Sequence, residues 1–334
     1  MAAVTVYRGE QVEAVHDVSI AVVNAVGELT HYYGDPNAIF MTRSSIKAFQ
    51  LLPLLTTGAA EQYNFSNKQL AIMAGSHNGT NEHRDVVLSN LEAAGNTADL
   101  LQCGCHKPMY MAFSGEYPQD NEDKDFLRHN CSGKHSGFLA LAKFLGDDVS
   151  DYLNPENKSQ TLVREAVSAY CEYPLPETFY GTDGCSAPNF PLPLKNLAHG
   201  FVKFTQGIGQ DEKEIKAVKR IREAILEYPK MVSGEKRFDY ALAQSFPDNC
   251  ICKVGAEAIE AVSFVNEKIG IAVKVHDGAN RAMEPVVVEV LKQIRLIEDI
   301  EDYPLLKHYE VPFVKNVQKI ITGKIVCDFM LKTN

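Results

Sequence analysis

A chain of 334 residues with 45% hydrophobic and 23% charged side chains can bury a sizeable core in one large or two modest domains. Its net charge of -10, from 33 basic and 43 acidic residues, argues against broad nucleic-acid binding and against attraction to anionic membranes. No apolar run long enough to span a bilayer occurs, and Met1 to Val15 carries Arg8, Glu10 and Glu13 instead of the basic-then-apolar order of a secretory leader, so a cytoplasmic location with eight reduced cysteines is expected.

Asp17 to Ala25 is rich in β-branched residues and predicts a strand, with a turn at Gly27 and a returning strand at Leu29 to Tyr33. Thr42 can then cap a helix carrying Ser44, Ser45, Ile46 and Lys47. Ser66 caps a second helix that ends near Gly75, and Thr80 opens a third with Val86, Val87, Leu88 and Leu91. A polar loop without periodicity follows from about Gly104 to Lys124. A helix is expected from about Ser132 to Leu145, and another from Asn154-Pro155 with proline at its first position. Beyond Pro174 the texture changes, with a short strand at Thr178 to Tyr180 and a Gly/Pro-rich loop from Gly181 to Leu194. Helices are predicted around Pro193 to Phe204 and Asp211 to Glu227. Ala261 to Val265 and Ile269 to Val275 read as a hairpin around Asn266-Glu267-Lys268, followed by a helix from Arg281 to Ile294. Strands at both ends with helices between imply an α/β (α+β) fold: one sheet assembled from distant segments, about 1–50 and 175–334, with a helical lobe at about 51–174 inserted into a single unit.

Ser44-Ser45-Ile46-Lys47 places a hydroxyl and an amine one helical turn apart. A neutral lysine at that spacing can take the serine proton and make the oxygen a nucleophile. Alone the pattern is weak, since a chain this long contains about one Ser-x-x-Lys by chance. Ser76-His77-Asn78 and Lys253-Val254-Gly255 add a Ser-x-Asn and a Lys-x-Gly, the three elements of serine acyl-transfer enzymes of the β-lactamase and penicillin-binding type, in their order. Ser76 then reads as a proton relay, against the alternative of an ordinary turn between Gly75 and Gly79.

Two further clusters stand out. His129-Asn130-Cys131-Ser132-Gly133-Lys134-His135 opens a helix, where backbone amides favour an anion such as a substrate carboxylate; the plain alternative is a well-capped helix with a solvated Lys134. Gly181-Thr182-Asp183-Gly184-Cys185-Ser186 sets Asp183 in a turn, where it could meet the ammonium group of an amino acid. The pairs Cys103-Gly-Cys105 and Cys250-Ile-Cys252 have one-residue gaps and read as structural.

Arg43-Ser44-Ser45-Ile46-Lys47, Ser76-His77-Asn78-Gly79, Cys131-Ser132-Gly133-Lys134-His135 and Asp183-Gly184-Cys185-Ser186-Ala187-Pro188 together resemble the asparaginase II family, the Rhizobium-type L-asparaginases. The resemblance implies a fold similar to serine β-lactamases, penicillin-binding proteins and glutaminases, with a mainly antiparallel sheet covered by helices. It implies hydrolysis of L-asparagine to L-aspartate and ammonia by a homodimer. It also implies zinc held by two cysteines and a lysine, which by motif are Cys131, Lys134 and Cys185. Ser44 would be the nucleophile, Lys47 the base, and Ser76 with Lys253 the proton relay, with Lys274 competing for the last place. Arg43 or the helix start at His135 would meet the α-carboxylate and Asp183 the α-ammonium. Other readings are a glutaminase, whose substrate differs by one methylene, a β-lactam-acting enzyme, and a non-catalytic binding protein.

Overall fold

Six strands, the three central ones rich in valine, isoleucine and alanine, pair antiparallel in the computed structural model, in the spatial order Lys332–Thr333, Leu29–Tyr33, Val18–Val23, Ile269–Val275, Ile259–Phe264, Cys250–Gly255. The structure describes residues 3–117, 121–175 and 180–334. Every residue of Val18–Val23 and Ile259–Phe264 is buried, the pattern of a sheet covered on both faces rather than one open to water. The helix Asn280–Gln293 packs on this sheet and buries Ala282, Met283, Val286, Val287, Val290 and Leu291. The expected hairpin is present as Ile259–Phe264 and Ile269–Val275, and the expected returning strand as Leu29–Tyr33.

A second antiparallel sheet has the order Phe313–Lys315, Ile321–Cys327, Val4–Arg8, Gln11–His16. Sequence patterning does not disclose it. Gln11–His16 is largely exposed and a bulge between Val6 and Tyr7 breaks the two-residue period, so no clean alternation marks these strands. Both sheets belong to one compact unit, formed by Met1–Ser45, Leu192–Val202 and Ala241–Asn334.

The other unit, Ile46–Pro191 and Lys203–Tyr240, is mainly helical. It reaches beyond the lobe expected at about 51–174, because Glu212–Glu227 and Pro229–Val232 pack with the helix Asn67–Met73. Its principal helices are Asn67–Met73, Asn81–Ala93, Ser132–Leu145, Lys158–Tyr170 and Glu212–Glu227. Thr80, expected to open its helix, accepts from the His83 N–H, and Asp211 caps Glu212–Glu227 by accepting from the Glu214 N–H. One expectation fails. The helix assigned to Asn154-Pro155 starts at Lys158, because turns close from Asn154 to Asp151 and from Asn157 to Asn154 and leave Pro155 outside. The strand expected at Thr178 to Tyr180 falls mostly outside the described residues. Phe49, Tyr170 and Phe204 form the aromatic centre of the unit, with the Phe49 and Tyr170 rings stacked at 5.2 Å. No helix among the described residues is long and apolar enough to cross a membrane.

Ser66 and Gln69 form a full capping box at the start of Asn67–Met73. Ser66→Ala is expected to lower unfolding free energy by about 1 kcal/mol. Urea denaturation checks this, and an unchanged midpoint would mean the cap contributes nothing.

Candidate active site

Arg43–Ile46 form a 3-10 turn that runs without a break into the α-helix Lys47–Gln50, so Ser44 and Lys47 share one continuous helical run. The Thr42 carbonyl accepts from the Ser45 N–H at 3.1 Å and the Ser45 hydroxyl at 2.7 Å. Arg43 sits at φ +50°, a conformation disfavoured for a non-glycine residue, directly before Ser44. Ser44 is half-buried.

In the same unit as Ser44, the strand Cys250–Gly255 brings the Lys-x-Gly motif against this turn. A side chain at Gly255 would come within 2.7 Å of the Thr42 carbonyl and 3.2 Å of the Arg43 Cβ, so the approach requires glycine. Lys253 is buried and donates to the Val254 carbonyl at 2.7 Å. Lys274 lies on the same sheet face by register, Lys253 pairing through Ala261 with Ala272, and Gly255 through Ile259 with Lys274. Its ammonium is committed to the Glu257 and Val275 carbonyls and lies over the Phe40 ring.

The helical unit gathers four of the motifs at one place. Lys47 is fully buried, and its Nζ reaches the Gly75 carbonyl at 2.6 Å, Ser76 Oγ at 2.9 Å and Cys131 Sγ at 3.2 Å. Burial lowers the Lys47 pKa, and repulsion from Lys134 adds to this, while the Cys131 sulfur opposes it. The Gly75 carbonyl can only accept a hydrogen bond. If Lys47 is neutral, the proton donor back to Nζ must therefore be the Ser76 hydroxyl or the Cys131 thiol.

Cys131 begins the helix Ser132–Leu145, and Gly133 lets that helix touch Asn67–Met73, because a Cβ there would overlap the Ile72 carbonyl. The Cys131 thiol is pushed well below its usual range, first by a hydrogen bond with Cys185, then by the Lys47 ammonium, His129 and Lys134, against the cost of burial. Cys185 is pushed upward by the same Cys131 hydrogen bond and by burial, so Cys131 is the more acidic of the two thiols. Lys134 Nζ lies 3.1 Å from Cys185 Sγ, which is 3.3 Å from an Asp183 oxygen. Burial would lower the Lys134 pKa, but the sulfurs of Cys185 and Cys131 and the Asp183 carboxylate outweigh it and hold the ammonium charged.

The donor atoms of Cys131, Asp183 and Cys185 lie within 4.8 Å of one another, two sulfurs and an oxygen that suit zinc. Lys134 is close enough to be a further donor, and would have to release a proton held more tightly than in water. The residues therefore fit a metal, with Asp183 and Lys134 competing for the third position.

His135 is fully buried, and its Nδ1 shares a hydrogen bond of 2.6 Å with the Tyr152 hydroxyl, which also accepts from the Gln102 N–H. Its Nε2 has no hydrogen-bond partner among the described residues. His77 is pinned in one neutral form: Gly79 N–H donates to Nδ1, and Nε2–H donates to Ser132 Oγ, whose own proton goes to the Leu127 carbonyl. Sequence reading missed the segment that clamps Ser76. Val232 accepts from the Ser76 N–H at 2.7 Å, Arg237 donates to the Ser76 carbonyl at 2.7 Å, and Asn78 donates to the Glu235 carbonyl. The only local signal is Ser233-Gly234 after a helix, which reads as an ordinary turn.

The L-asparaginase II family matches the sequence over residues 4–327. No curated protein matches it. Among solved structures the chain is similar to a putative β-lactamase from Bacteroides dorei DSM 17855, with 9% identity and a TM-score of 0.43, over 82% of this chain and 93% of that one. It is also similar to a class C β-lactamase from Rhodobacter sphaeroides, with 12% identity and a TM-score of 0.39, over 82% and 94% of the two chains.

Burial holds His77 and His83 below the ordinary histidine value of 6.5, so both are neutral in the folded protein. Unfolding lets each take a proton below that value. Their contribution is thus present above pH 6.5 and lost as pH falls below it, at up to about 1.4 kcal/mol per pH unit for each histidine. Urea midpoints measured from about pH 7.5 down to 5.5 should fall accordingly. A flat profile would contradict the neutral assignment.

Proposed function

The chain belongs to the L-asparaginase II family, and on that premise we propose that it hydrolyses L-asparagine to L-aspartate and ammonia through an acyl-enzyme on Ser44. The observation that carries this reading is Lys47, fully buried, with its pKa lowered and its Nζ hydrogen-bonded to Ser76 Oγ. Lowering the pKa of a buried lysine raises its share of the neutral amine that a general base needs.

Lys47 takes the Ser44 proton as the oxygen attacks the side-chain amide carbon. The Ser44 backbone N–H helps to hold the oxyanion. Ser76 and Lys253 pass a proton to the departing ammonia, and water then hydrolyses the aspartyl ester. Gly255 packing on Thr42 and Arg43 supports Lys253 over Lys274 in this role. Arg43 or His135 meets the α-carboxylate and Asp183 the α-ammonium. A homodimer and a cytoplasmic location belong to the same proposal.

Cys131 and Cys185 would hold zinc together with Lys134, with Asp183 the competing third donor. Bound there, the ion would supply positive charge beside the substrate pocket and brace the two loops that carry its ligands. Taking up zinc must displace protons from the sulfurs and from Lys134.

Ammonia release from L-asparagine, with L-glutamine and nitrocefin in parallel, tests the activity. Ser44→Ala should reduce turnover by at least about three orders of magnitude with the fold intact. Near-normal turnover in that variant would remove Ser44 from the nucleophile role. Preferential glutamine turnover would make the protein a glutaminase, and nitrocefin turnover a β-lactam-acting enzyme. Zinc affinity measured by competition with a chromogenic chelator should rise steeply with pH. Pairing Lys134→Ala with Asp183→Asn in that titration identifies the third ligand, because only loss of a true ligand weakens binding. A pH-independent affinity would contradict proton displacement.

A further inference from the structure

We propose that Cys131 and Cys185 form a reversible disulfide when no metal is bound, which makes the pair a redox-modifiable site. Their sulfurs are the two thiol members of a donor cluster whose atoms all lie within 4.8 Å of one another. A disulfide needs them at about 2.05 Å, so one side must move. We assign that movement to the Cys185 side. Cys131 is fixed at the start of a long buried helix, with its N–H donated to His129 Nδ1 at 3.0 Å. Cys185 sits instead in the turn of the two-stranded hairpin Gly181–Thr182 and Pro188–Asn189. That turn is held by two backbone hydrogen bonds, Asp183 N–H to Ala187 and Ser186 N–H to Asp183, and Ser186 is at φ +69°. Cys131 and Cys185 are buried, while Gly184 and Ser186 on either side of Cys185 are exposed.

The oxidant is a hydroperoxide. One sulfur attacks the peroxide, an S–O bond forms as the O–O bond breaks, and an alcohol (water, for hydrogen peroxide) leaves. The second sulfur then attacks the sulfenic acid, forming the S–S bond and breaking S–O. Its proton leaves with the hydroxyl as water, so two thiols and one hydroperoxide give one disulfide, one alcohol and one water. The product removes the sulfur acceptor that Lys47 meets at 3.2 Å and both sulfur donors of the metal cluster. Any loss of turnover that follows rests on the asparaginase reading; the disulfide itself does not.

The test uses the full chain, stripped of metal with a chelator and treated with hydrogen peroxide, beside a sample loaded with zinc beforehand. Free thiols are counted after denaturation and peptides are mapped without reduction. The metal-free sample should lose two of its eight thiols, yield a linked Cys131–Cys185 peptide and recover both thiols with dithiothreitol. Cys185→Ser should abolish the linked peptide. Cys131 and Cys185 found as free thiols, or as separate sulfinic acids, would overturn the proposal. Equal linkage with and without zinc would leave the disulfide standing and remove these cysteines as zinc ligands. A linked peptide in a protein that releases no ammonia would remove the asparaginase reading alone.

Discussion

A lysine amine with no access to water sets the terms for everything around it. Burying an ammonium costs several kcal/mol unless acceptors replace its hydration. Lys47 finds three: a carbonyl, a hydroxyl and a sulfur, drawn from two separate loops. Those loops must therefore be held to within hydrogen-bond tolerance, and much of the helical unit does this. The Ser76 backbone is gripped on both sides by Val232 and Arg237. The His77 N–H donates to the Asn130 carbonyl while the His77 ring donates to Ser132, which ties the Ser-x-Asn turn to the helix start that carries Cys131. Loosening either loop would leave a buried amine without a partner.

Lys47 and Lys134 show how neighbouring anions decide the fate of equally buried amines. Both are removed from water, yet their pKa values move in opposite directions. Lys134 faces two sulfurs and the Asp183 carboxylate, and the sum of attractions exceeds the cost of burial. Lys47 has sulfur neighbours too, but the Lys134 charge repels it, and burial prevails. One amine is thereby kept as a charge and the other is made available as a base. Substituting Lys134 would act on Lys47 through this repulsion as well as through any lost ligand.

The sequence made the chemistry-bearing loops legible, because their residue types are unusual and close together in the chain. Ser66 and Thr80 likewise announced their helices, since capping is a local interaction. What stayed hidden depends on long-range packing. The strands Val4–Arg8 and Gln11–His16 carry a bulge and an exposed edge, so their period is lost. Arg237 meets Ser76 from 161 residues away and carries no motif of its own. Pro155 fits the first position of a helix equally well as the turn it occupies, and only the hydrogen bonds from Asn154 and Asn157 decide between them. The contact of Gly255 with Thr42 and Arg43 shows why a Lys-x-Gly is more than a coincidence of composition, but the reason is a distance, which spacing alone cannot give.

Cys131 concentrates the competing demands on the site. Its sulfur accepts from Lys47 and belongs to the only donor cluster suited to a metal among the described residues. Holding a metal and forming a disulfide exclude each other. A metal ligand donates its lone pair to the ion and gives up its proton; a disulfide gives up the charge altogether. Lys47 registers each change, because its nearest sulfur is 3.2 Å away and the medium between them is protein rather than water. Withdrawing negative charge from Cys131 leaves burial less opposed and moves Lys47 further toward the neutral amine that can accept a proton. Disulfide formation also removes one of its three hydrogen bonds, so the gain in basic form comes with a loss of position. The balance of those two effects, set by one sulfur, is where control over this lysine resides.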